Sequence, residues 1–169
     1  MRADKIYLVG FMGAGKSSVA RALGKRLDWK VEDIDTRIER AERRDIPTIF
    51  RDDGEPFFRS RERDVLIQLL GERGTVVASG GGTFADPGNR ELMLRDGAVV
   101  WLDASFETII SRIPSDGRRP LATDRLAMEQ LYNQRLAAYR LAHFKVDAGR
   151  GSVEELVDHI MDWLMERST

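Results

Sequence analysis

Cysteine is absent from the 169 residues of this chain. Without thiols, disulfide bonds, thiolate metal sites and a cysteine nucleophile are all excluded. An excess of either charge is also lacking, because 27 basic residues nearly balance 28 acidic ones and leave a net charge of −1. Proteins that bind nucleic acid through its phosphates usually carry a basic excess, so the composition argues against a nucleic-acid partner.

Long hydrophobic runs are also missing. None approaches the roughly 18 residues that a membrane span needs, so no membrane partner is expected. In the N-terminal segment MRADKIYLVGFMGAGKSS, a short apolar run ends in a glycine loop rather than in a small-residue cleavage site. This segment is not predicted to be a signal peptide, and we expect a cytoplasmic protein. Apolar residues make up 42% and charged residues 33%, which is typical of one folded domain, expected to span residues 1–169.

Short apolar runs alternate along the chain with segments of helical periodicity. Strands are predicted at 5–10, 29–34, 75–80, 98–104 and 144–149. Helices are predicted at 17–27, 35–43, 57–72, 87–95, 105–113, 125–142 and 152–167. This alternation is typical of α/β proteins, in which helices cover both faces of a parallel sheet. The segment PSDGRRPLATD at 114–124 is predicted to be a mobile surface loop.

A phosphate-binding motif follows the first predicted strand. Residues 10–17, GFMGAGKS, match the pattern G-x-x-x-x-G-K-[ST] and open a predicted helix. The glycines would let backbone N–H groups surround phosphates, and Lys16 would reach the outer ones. The Ser17 hydroxyl would coordinate Mg²⁺. A glycine-rich turn with a solvated lysine is the alternative, but the strand–loop–helix context favours a bound nucleoside triphosphate with Mg²⁺.

Two carboxylates stand at the end of the second predicted strand. The segment EDID at 32–35 places Asp33 and Asp35 two residues apart, so they would face the same way from a strand. Ligands of open α/β sheets bind beyond this end of the strands. Phosphoryl transfer needs carboxylates to hold Mg²⁺, usually through water, and to orient the attacking oxygen. The alternative is that Asp35 only caps a helix that begins at Thr36.

A run of three glycines follows the third predicted strand, in SGGGTF at 79–84. Consecutive glycines are costly to order, so they suit a place where a ligand or another part of the chain must approach closely. Their N–H groups could donate to a substrate carboxylate. A tight turn without a ligand role is the other interpretation.

In GEPFFRSRERD, residues 54–64, two aromatic residues are followed by three arginines, a glutamate and an aspartate. On a helical wheel, Arg59 and Glu62 fall inside the apolar arc, so they are predicted to form an internal ion pair. The pair could be purely structural. Alternatively, Glu62 could hold Arg59 rigid while its guanidinium grips a carboxylate. Arg61 and Arg63 are expected to be solvated.

The chain resembles the shikimate kinase family from Lys5 to about Ser152. The motifs that carry the resemblance are GFMGAGKSS, DID, FFRSRE, GGG, GRRPLA and QRLAAY, in the expected order. The resemblance implies a P-loop NTPase fold of the nucleoside-monophosphate-kinase type, a five-stranded parallel sheet of order 2-3-1-4-5. It also implies ATP-dependent phosphorylation of the 3-hydroxyl of shikimate, on the route to chorismate and the aromatic amino acids.

The resemblance also implies a nucleotide site. Its ATP-binding residues would be Gly13, Ala14, Gly15, Lys16, Ser17, Ser18, Arg112 and Arg119. Arg119 would close over ATP from a lid at about 112–124, and Arg112 would line the adenine side. The cofactor would be Mg²⁺, held by Ser17 and, through water, by Asp33.

An acceptor site is implied as well, with a substrate-binding subregion at about 33–62. Asp35 would contact the accepting hydroxyl and would be catalytic together with Lys16 and Arg119. The shikimate carboxylate would be held by Arg59, the backbone of Gly81, and Arg135, with Glu62, Gly80 and Gly82 in support. Helical periodicity alone would make Arg135 a surface charge.

Two other functions fit part of the same pattern. A gluconate-type sugar-acid kinase would also use carboxylate-gripping arginines on this scaffold. A non-catalytic nucleotide-binding regulatory protein would bind ATP without turning over a small molecule. The intact set of Lys16, Ser17, Asp35 and Arg59 argues against lost catalysis. We therefore expect ATP and shikimate as small-molecule partners of a monomeric kinase.

Overall fold

The computed structural model describes residues 3–112 and 122–169. Arg119 and most of the predicted lid lie outside the described residues. The strands are β1 (Lys5–Val9), β2 (Lys30–Asp33), β3 (Thr75–Ala78), β4 (Ala98–Asp103) and β5 (Phe144–Asp147). The helices are α1 (Lys16–Leu27), α2 (Ile34–Glu42), α3 (Ile46–Leu69), α4 (Pro87–Asp96), α5 (Phe106–Ser111), α6 (Ala122–Tyr139) and α7 (Val153–Glu166).

The strands form a parallel sheet of order β2-β3-β1-β4-β5, which confirms the predicted order. The chain moves outward from β1 to β2 and then crosses back through β3 to β4 and β5. Because parallel crossovers are right-handed, this reversal of direction places the connecting helices on opposite faces of the sheet. In this order the carboxyl ends of β2, β3 and β1 lie side by side, at the edge of the sheet where ligands of such sheets bind.

Apolar side chains from the sheet and both helical layers form the core. Fully buried members include Ile6, Leu8, Val19, Leu23, Ile38, Ile49, Leu66, Val76, Val100, Val157 and Ile160. Burial of each such side chain stabilises the fold by about 1.5–3 kcal/mol relative to exposure. Across residues 3–112 and 122–169, no helix combines the length and the apolar character that a bilayer crossing requires.

Helix α3 begins eleven residues before its predicted start at residue 57, which corrects that boundary. It starts at Ile46, where the Asp45 side chain accepts a hydrogen bond from the N–H of Thr48. The helix bends at Gly54, whose φ of 82° lies in the left-handed region, and Pro56 follows. Glycine and proline usually interrupt helices, so the sequence did not predict the first part of α3.

Beyond the bend, α3 has one face exposed to solvent and another that contacts α4. Arg61 is exposed and lies 3.6 Å from Asp64, so its predicted solvation is confirmed. Arg63 is only half exposed and donates to the side-chain oxygen of Asn89 at 3.1 Å. The predicted solvation of Arg63 is therefore incomplete, because α4 packs its buried Asn89 against this arginine.

Candidate active site

The predicted phosphate loop lies between β1 and α1. Gly13 and Gly15 have φ values of 74° and 94°, a backbone conformation that favours glycine. Lys16 folds over the loop, and its ammonium donates to the carbonyls of Gly10 (2.7 Å) and Phe11 (2.9 Å). Burial lowers the pKa of Lys16 to about 8, and Arg135 acts in the same direction, although Asp35 and Asp33 oppose it.

Ser17 and Asp33 lie next to each other at the start of α1 and the end of β2. The Ser17 hydroxyl donates to Oδ2 of Asp33 at 3.1 Å. Oδ1 of Asp33 accepts from the N–H of Thr36 at 3.1 Å, which caps α2. Hydroxyl and carboxylate oxygens are ligands that Mg²⁺ accepts. Among the described residues no cluster of three or more carboxylates or histidines could hold a metal alone, so phosphate and water oxygens would complete the coordination.

The position of Asp35 differs from both sequence expectations. Strand β2 ends at Asp33, and Asp35 lies in the first turn of α2, so the two carboxylates do not share a strand face. The capping residue is Asp33 rather than Asp35, which also rules out the capping role considered for Asp35. A helix that begins directly after the strand turns Asp35 towards the glycine loop, where a Cβ on Gly80 would lie 2.9 Å from its Oδ1.

Asp35 has the environment of a poised proton acceptor. Its Oδ1 is buried and has no hydrogen-bond partner among the described residues. Burial, followed by the negative charges of Asp33 and Glu62, raises the pKa of Asp35 to about 6, although Lys16 acts in the opposite direction. A raised pKa together with a buried oxygen that lacks a partner in the described part of the chain is typical of a general base.

The three consecutive glycines form the meeting point of the predicted acceptor site. A Cβ on Gly81 would lie 3.0 Å from Nη1 of Arg135, and a Cβ on Gly82 would lie 2.6 Å from Nη1 of Arg59. Real Cβ atoms essentially never come closer than 3.0 Å to another heavy atom, so the Gly81 distance is at that limit and the Gly82 distance is below it. The run of glycines therefore lets two arginines approach the backbone closely, from α3 on one side and from α6 on the other.

The predicted ion pair between Arg59 and Glu62 is present, one turn apart on α3. Nη1 of Arg59 lies 3.0 Å from Oε1 of Glu62, whose side chain is 1% exposed, whereas that of Arg59 is 32% exposed. The Thr83 hydroxyl donates to Oε2 of Glu62 at 2.8 Å. Glu62 is thus buried and fully paired. Nε of Arg59 lies 3.4 Å from Oε1 of Glu55, and Nη2 has no hydrogen-bond partner among the described residues, so it could reach a ligand beside Gly82.

Helix α6 places Arg135 and Tyr139 beside the same glycine loop. Arg135 is half-buried, with its guanidinium 5.6 Å from the centre of the Phe11 ring. The surface position that periodicity favours for Arg135 is therefore wrong. The Tyr139 hydroxyl donates to the carbonyl of Gly81 at 2.5 Å. Sequence reasoning gave Tyr139 no role, although its spacing of four residues from Arg135 puts both side chains on one helix face.

Arg112 connects the phosphate loop to the segment after β5. Its guanidinium donates to the carbonyl of Gly13 at 3.0 Å and to that of Ala148 at 2.7 Å. These contacts fix one flank of the phosphate loop next to the predicted adenine side. Arg119, the other arginine predicted to contact ATP, falls outside the described residues.

This chain is similar in sequence and in structure to known proteins. A family model described as shikimate kinase matches residues 12–165. The shikimate kinase of Sulfurihydrogenibium sp. (strain YO3AOP1) is 39% identical over 163 residues, which cover 96% of this chain and 98% of that protein. The structure of shikimate kinase from Acinetobacter baumannii in complex with shikimate matches with a TM-score of 0.90 at 34% identity, covering 98% of this chain and 94% of that one. For shikimate kinase from Aquifex aeolicus the TM-score is 0.88 at 33% identity, with 97% and 98% covered.

Proposed function

This chain belongs to the shikimate kinase family, and we propose that it transfers the γ-phosphoryl group of ATP to the 3-hydroxyl of shikimate. The observation that carries the proposal is the convergence of Asp35, Arg59 and Arg135 on one glycine loop. That loop lies beside the phosphate loop, because a Cβ on Gly81 would lie 3.5 Å from the backbone nitrogen of Met12. An acceptor held by the arginines would thus present a hydroxyl between Asp35 and the phosphates.

The acceptor's carboxylate would be bound by Arg59, Arg135 and the backbone of Gly81. Paired guanidinium groups bind carboxylates through charge-assisted hydrogen bonds that fix both position and orientation. The buried Glu62 holds Arg59 in place, so little side-chain entropy is lost when the acceptor binds. Two arginines on separate helices suit a small acid better than a neutral sugar.

Asp35 would align the accepting hydroxyl and take its proton. With a pKa raised to about 6 by burial and neighbouring carboxylates, Asp35 is mostly ionised at neutral pH and remains basic enough to accept a proton. Its buried oxygen, which has no hydrogen-bond partner in residues 3–112 and 122–169, would be available to a substrate hydroxyl. Phosphoryl transfer asks mainly for such positioning, together with neutralisation of charge on the phosphates.

Charge on ATP would be neutralised from the phosphate loop. The oxygens of Ser17 and Asp33, 3.1 Å apart, fit a Mg²⁺ site, with Asp33 acting through water. When bound, the ion supplies charge neutralisation at the phosphates. Lys16 would exchange its two carbonyl partners for phosphate oxygens. The roles of Arg119 as the lid residue within 112–124, and of Arg112 at the adenine side, stay predictions.

The reaction is tested by measuring ADP release with shikimate, with gluconate and without an acceptor. We expect ADP only with shikimate, in equal amount to a phosphorylated product identified as the 3-phosphate by NMR. ADP formed with gluconate instead would identify a sugar-acid kinase. ATP binding without ADP from either acid would identify a non-catalytic nucleotide-binding protein.

Monomeric state and cytoplasmic location stay predictions from the sequence. Size-exclusion chromatography coupled to light scattering, over a hundredfold range of concentration, tests the first. A constant mass near the 19.2 kDa of one chain would support a monomer, and a mass that rises with concentration would contradict it. The acceptor site of the proposal uses residues of one chain, so a monomer would contain all of it.

A further inference from the structure

Tyr139 makes a buried contact that the proposed reaction does not explain. Its side chain is 1% exposed, yet its hydroxyl is directed at the carbonyl of Gly81 in the glycine loop, 2.5 Å away. The two residues are 58 positions apart in sequence, so the bond joins α6 directly to the loop after β3. The ring itself packs in the core, with its centre 5.9 Å from that of Trp101.

The bond fixes the peptide between Gly81 and Gly82, which have no side chains of their own to hold it in place. The carbonyl of Gly81 and the N–H of Gly82 belong to one planar trans peptide, so they point in opposite directions. With no side chains at either position, little else restrains that plane, because glycine has access to more backbone conformations than any other residue. Neither Gly81 nor Gly82 donates its N–H to an acceptor among the described residues, whereas Thr83 and Ala85 donate back into the loop.

The same helix face carries Arg135, one turn before Tyr139. A Cβ on Gly81 would lie 3.0 Å from Nη1 of Arg135, so Gly81 contacts both residues. The hydroxyl of Tyr139 remains a donor throughout the working pH range, because burial raises the pKa of Tyr139 to about 12. Arg135 and Tyr139 therefore fix the distance and orientation between α6 and the glycine loop.

We propose that Tyr139 is a positioning residue for the acceptor: its hydroxyl holds the Gly81–Gly82 peptide so that the loop and Arg135 bind the acceptor's carboxylate as one rigid surface. This inference rests on the proposed function, because it takes Gly81 and Arg135 as carboxylate-binding groups. Tyr139 acts through the loop, and among the described residues its hydroxyl makes no hydrogen bond to Lys16. Its removal should therefore weaken acceptor binding selectively.

Tyr132 provides a matched control on the same helix. Its hydroxyl also donates to a backbone carbonyl, that of Ala104 after β4, at 2.9 Å. Tyr132→Phe and Tyr139→Phe thus remove the same atom and the same kind of bond from α6, but only the second releases the glycine loop. A general effect on α6 would be the same in both variants, whereas a positioning effect would appear in Tyr139→Phe alone.

The experiment measures KM for shikimate, KM for ATP and kcat in the wild type, Tyr139→Phe, Tyr132→Phe and Arg135→Ala. Circular dichroism confirms that each variant is folded at the assay temperature. In Tyr139→Phe we expect KM for shikimate to rise about 3- to 10-fold, the size of one neutral hydrogen bond, with KM for ATP unchanged. Tyr132→Phe should leave both KM values at the wild-type level.

The outcomes separate this inference from the proposed site. If Arg135→Ala raises KM for shikimate but Tyr139→Phe matches Tyr132→Phe, the site stands and the positioning role of Tyr139 is wrong. Equal rises in both KM values for Tyr139→Phe would also overturn that role, because they would indicate a general structural effect. If the wild type does not turn over shikimate, or Arg135→Ala changes nothing, the proposed site fails and this inference with it.

Discussion

The phosphate loop and the proposed acceptor pocket are built in opposite ways. The phosphate loop is one continuous stretch, residues 10–17, and Lys16 hydrogen-bonds to carbonyls of that same stretch. The acceptor pocket draws Asp35 from α2, Arg59 from α3 and Arg135 from α6 onto a glycine loop after β3. A binding site made of neighbouring residues can be recognised by spacing alone, whereas one assembled by the fold cannot. Variants that damage one half and spare the other test this comparison.

The largest expected effect is on the chemical step and belongs to Asp35, which lies between the two halves. Asp35→Asn keeps the shape of the side chain but removes the proton acceptor. We expect kcat to fall by about 10²- to 10³-fold, with KM for shikimate and for ATP changed by less than about threefold. The exposed Asp64→Asn on α3 is the control. Steady-state kinetics measures all of these values, and normal turnover in Asp35→Asn would remove it from the chemistry.

The next largest effect is on acceptor binding alone. Arg59→Ala should raise KM for shikimate about 10- to 100-fold, because a charge-assisted grip on the carboxylate is lost in ground and transition state alike. KM for ATP should stay near the wild-type value. Arg61→Ala, on the exposed face of the same helix, should change neither. Thermal denaturation accompanies the assay, because removal of Arg59 leaves Glu62 buried without its cation. A rise in KM for ATP equal to that for shikimate would contradict separate subsites.

Two glycine substitutions, one in the glycine loop and one in the phosphate loop, should each raise KM for one substrate by a smaller factor. Gly82→Ala would place a Cβ 2.6 Å from Arg59 and displace its guanidinium, so KM for shikimate should rise about 5- to 10-fold. Gly15→Ala meets no neighbouring atom, but its φ of 94° strains any other residue. That strain of about 1–2 kcal/mol should raise KM for ATP about tenfold. If either variant raises both KM values alike, the two halves are not independent.

The smallest effect is on stability and again concerns Asp35. Its pKa is raised in the folded protein from 3.8 to about 6, mainly by burial and then by Asp33 and Glu62. The folded state therefore binds this proton more tightly than the unfolded state, and stability falls as pH rises through that interval. Asparagine is neutral throughout, so Asp35→Asn should be about 1–2 kcal/mol more stable than the wild type at pH 7.5 and no more stable at pH 4. Urea denaturation at the two pH values measures this, and a variant less stable at pH 7.5 would contradict it.

The fold was largely predictable because most of its signals are local. The buried strands read as short apolar runs, and the order of the sheet followed from the family resemblance and is confirmed. The first part of α3 was not predictable, since Gly54 and Pro56 look like a helix end but only bend the helix. The boundary at Asp33 and Asp35 was misplaced for a related reason: the turn from strand to helix takes no separate loop residues.

The candidate site was predictable in part. Periodicity alone indicated the pair of Arg59 and Glu62, because both stand on an apolar helix face. Periodicity alone was wrong about Arg135, because its surroundings come from residues far away in sequence. Tyr139 donates a hydrogen bond to Gly81, and Arg135 itself lies over the ring of Phe11. The solvation predicted for Arg63 was incomplete for the same reason, because its partner Asn89 belongs to another helix.

Lys16 would couple the proposed binding of ATP to the uptake of protons from solution. Its ammonium sits between two carbonyls and has a pKa lowered to about 8, mainly by burial. Near pH 8 part of the Lys16 population would therefore be uncharged before the nucleotide binds. Phosphate oxygens favour the charged form, so ATP binding in that pH range should take up a fraction of a proton from solution. Calorimetry in buffers of different ionisation enthalpy would register that uptake, and the affinity for ATP should weaken as pH rises above 8.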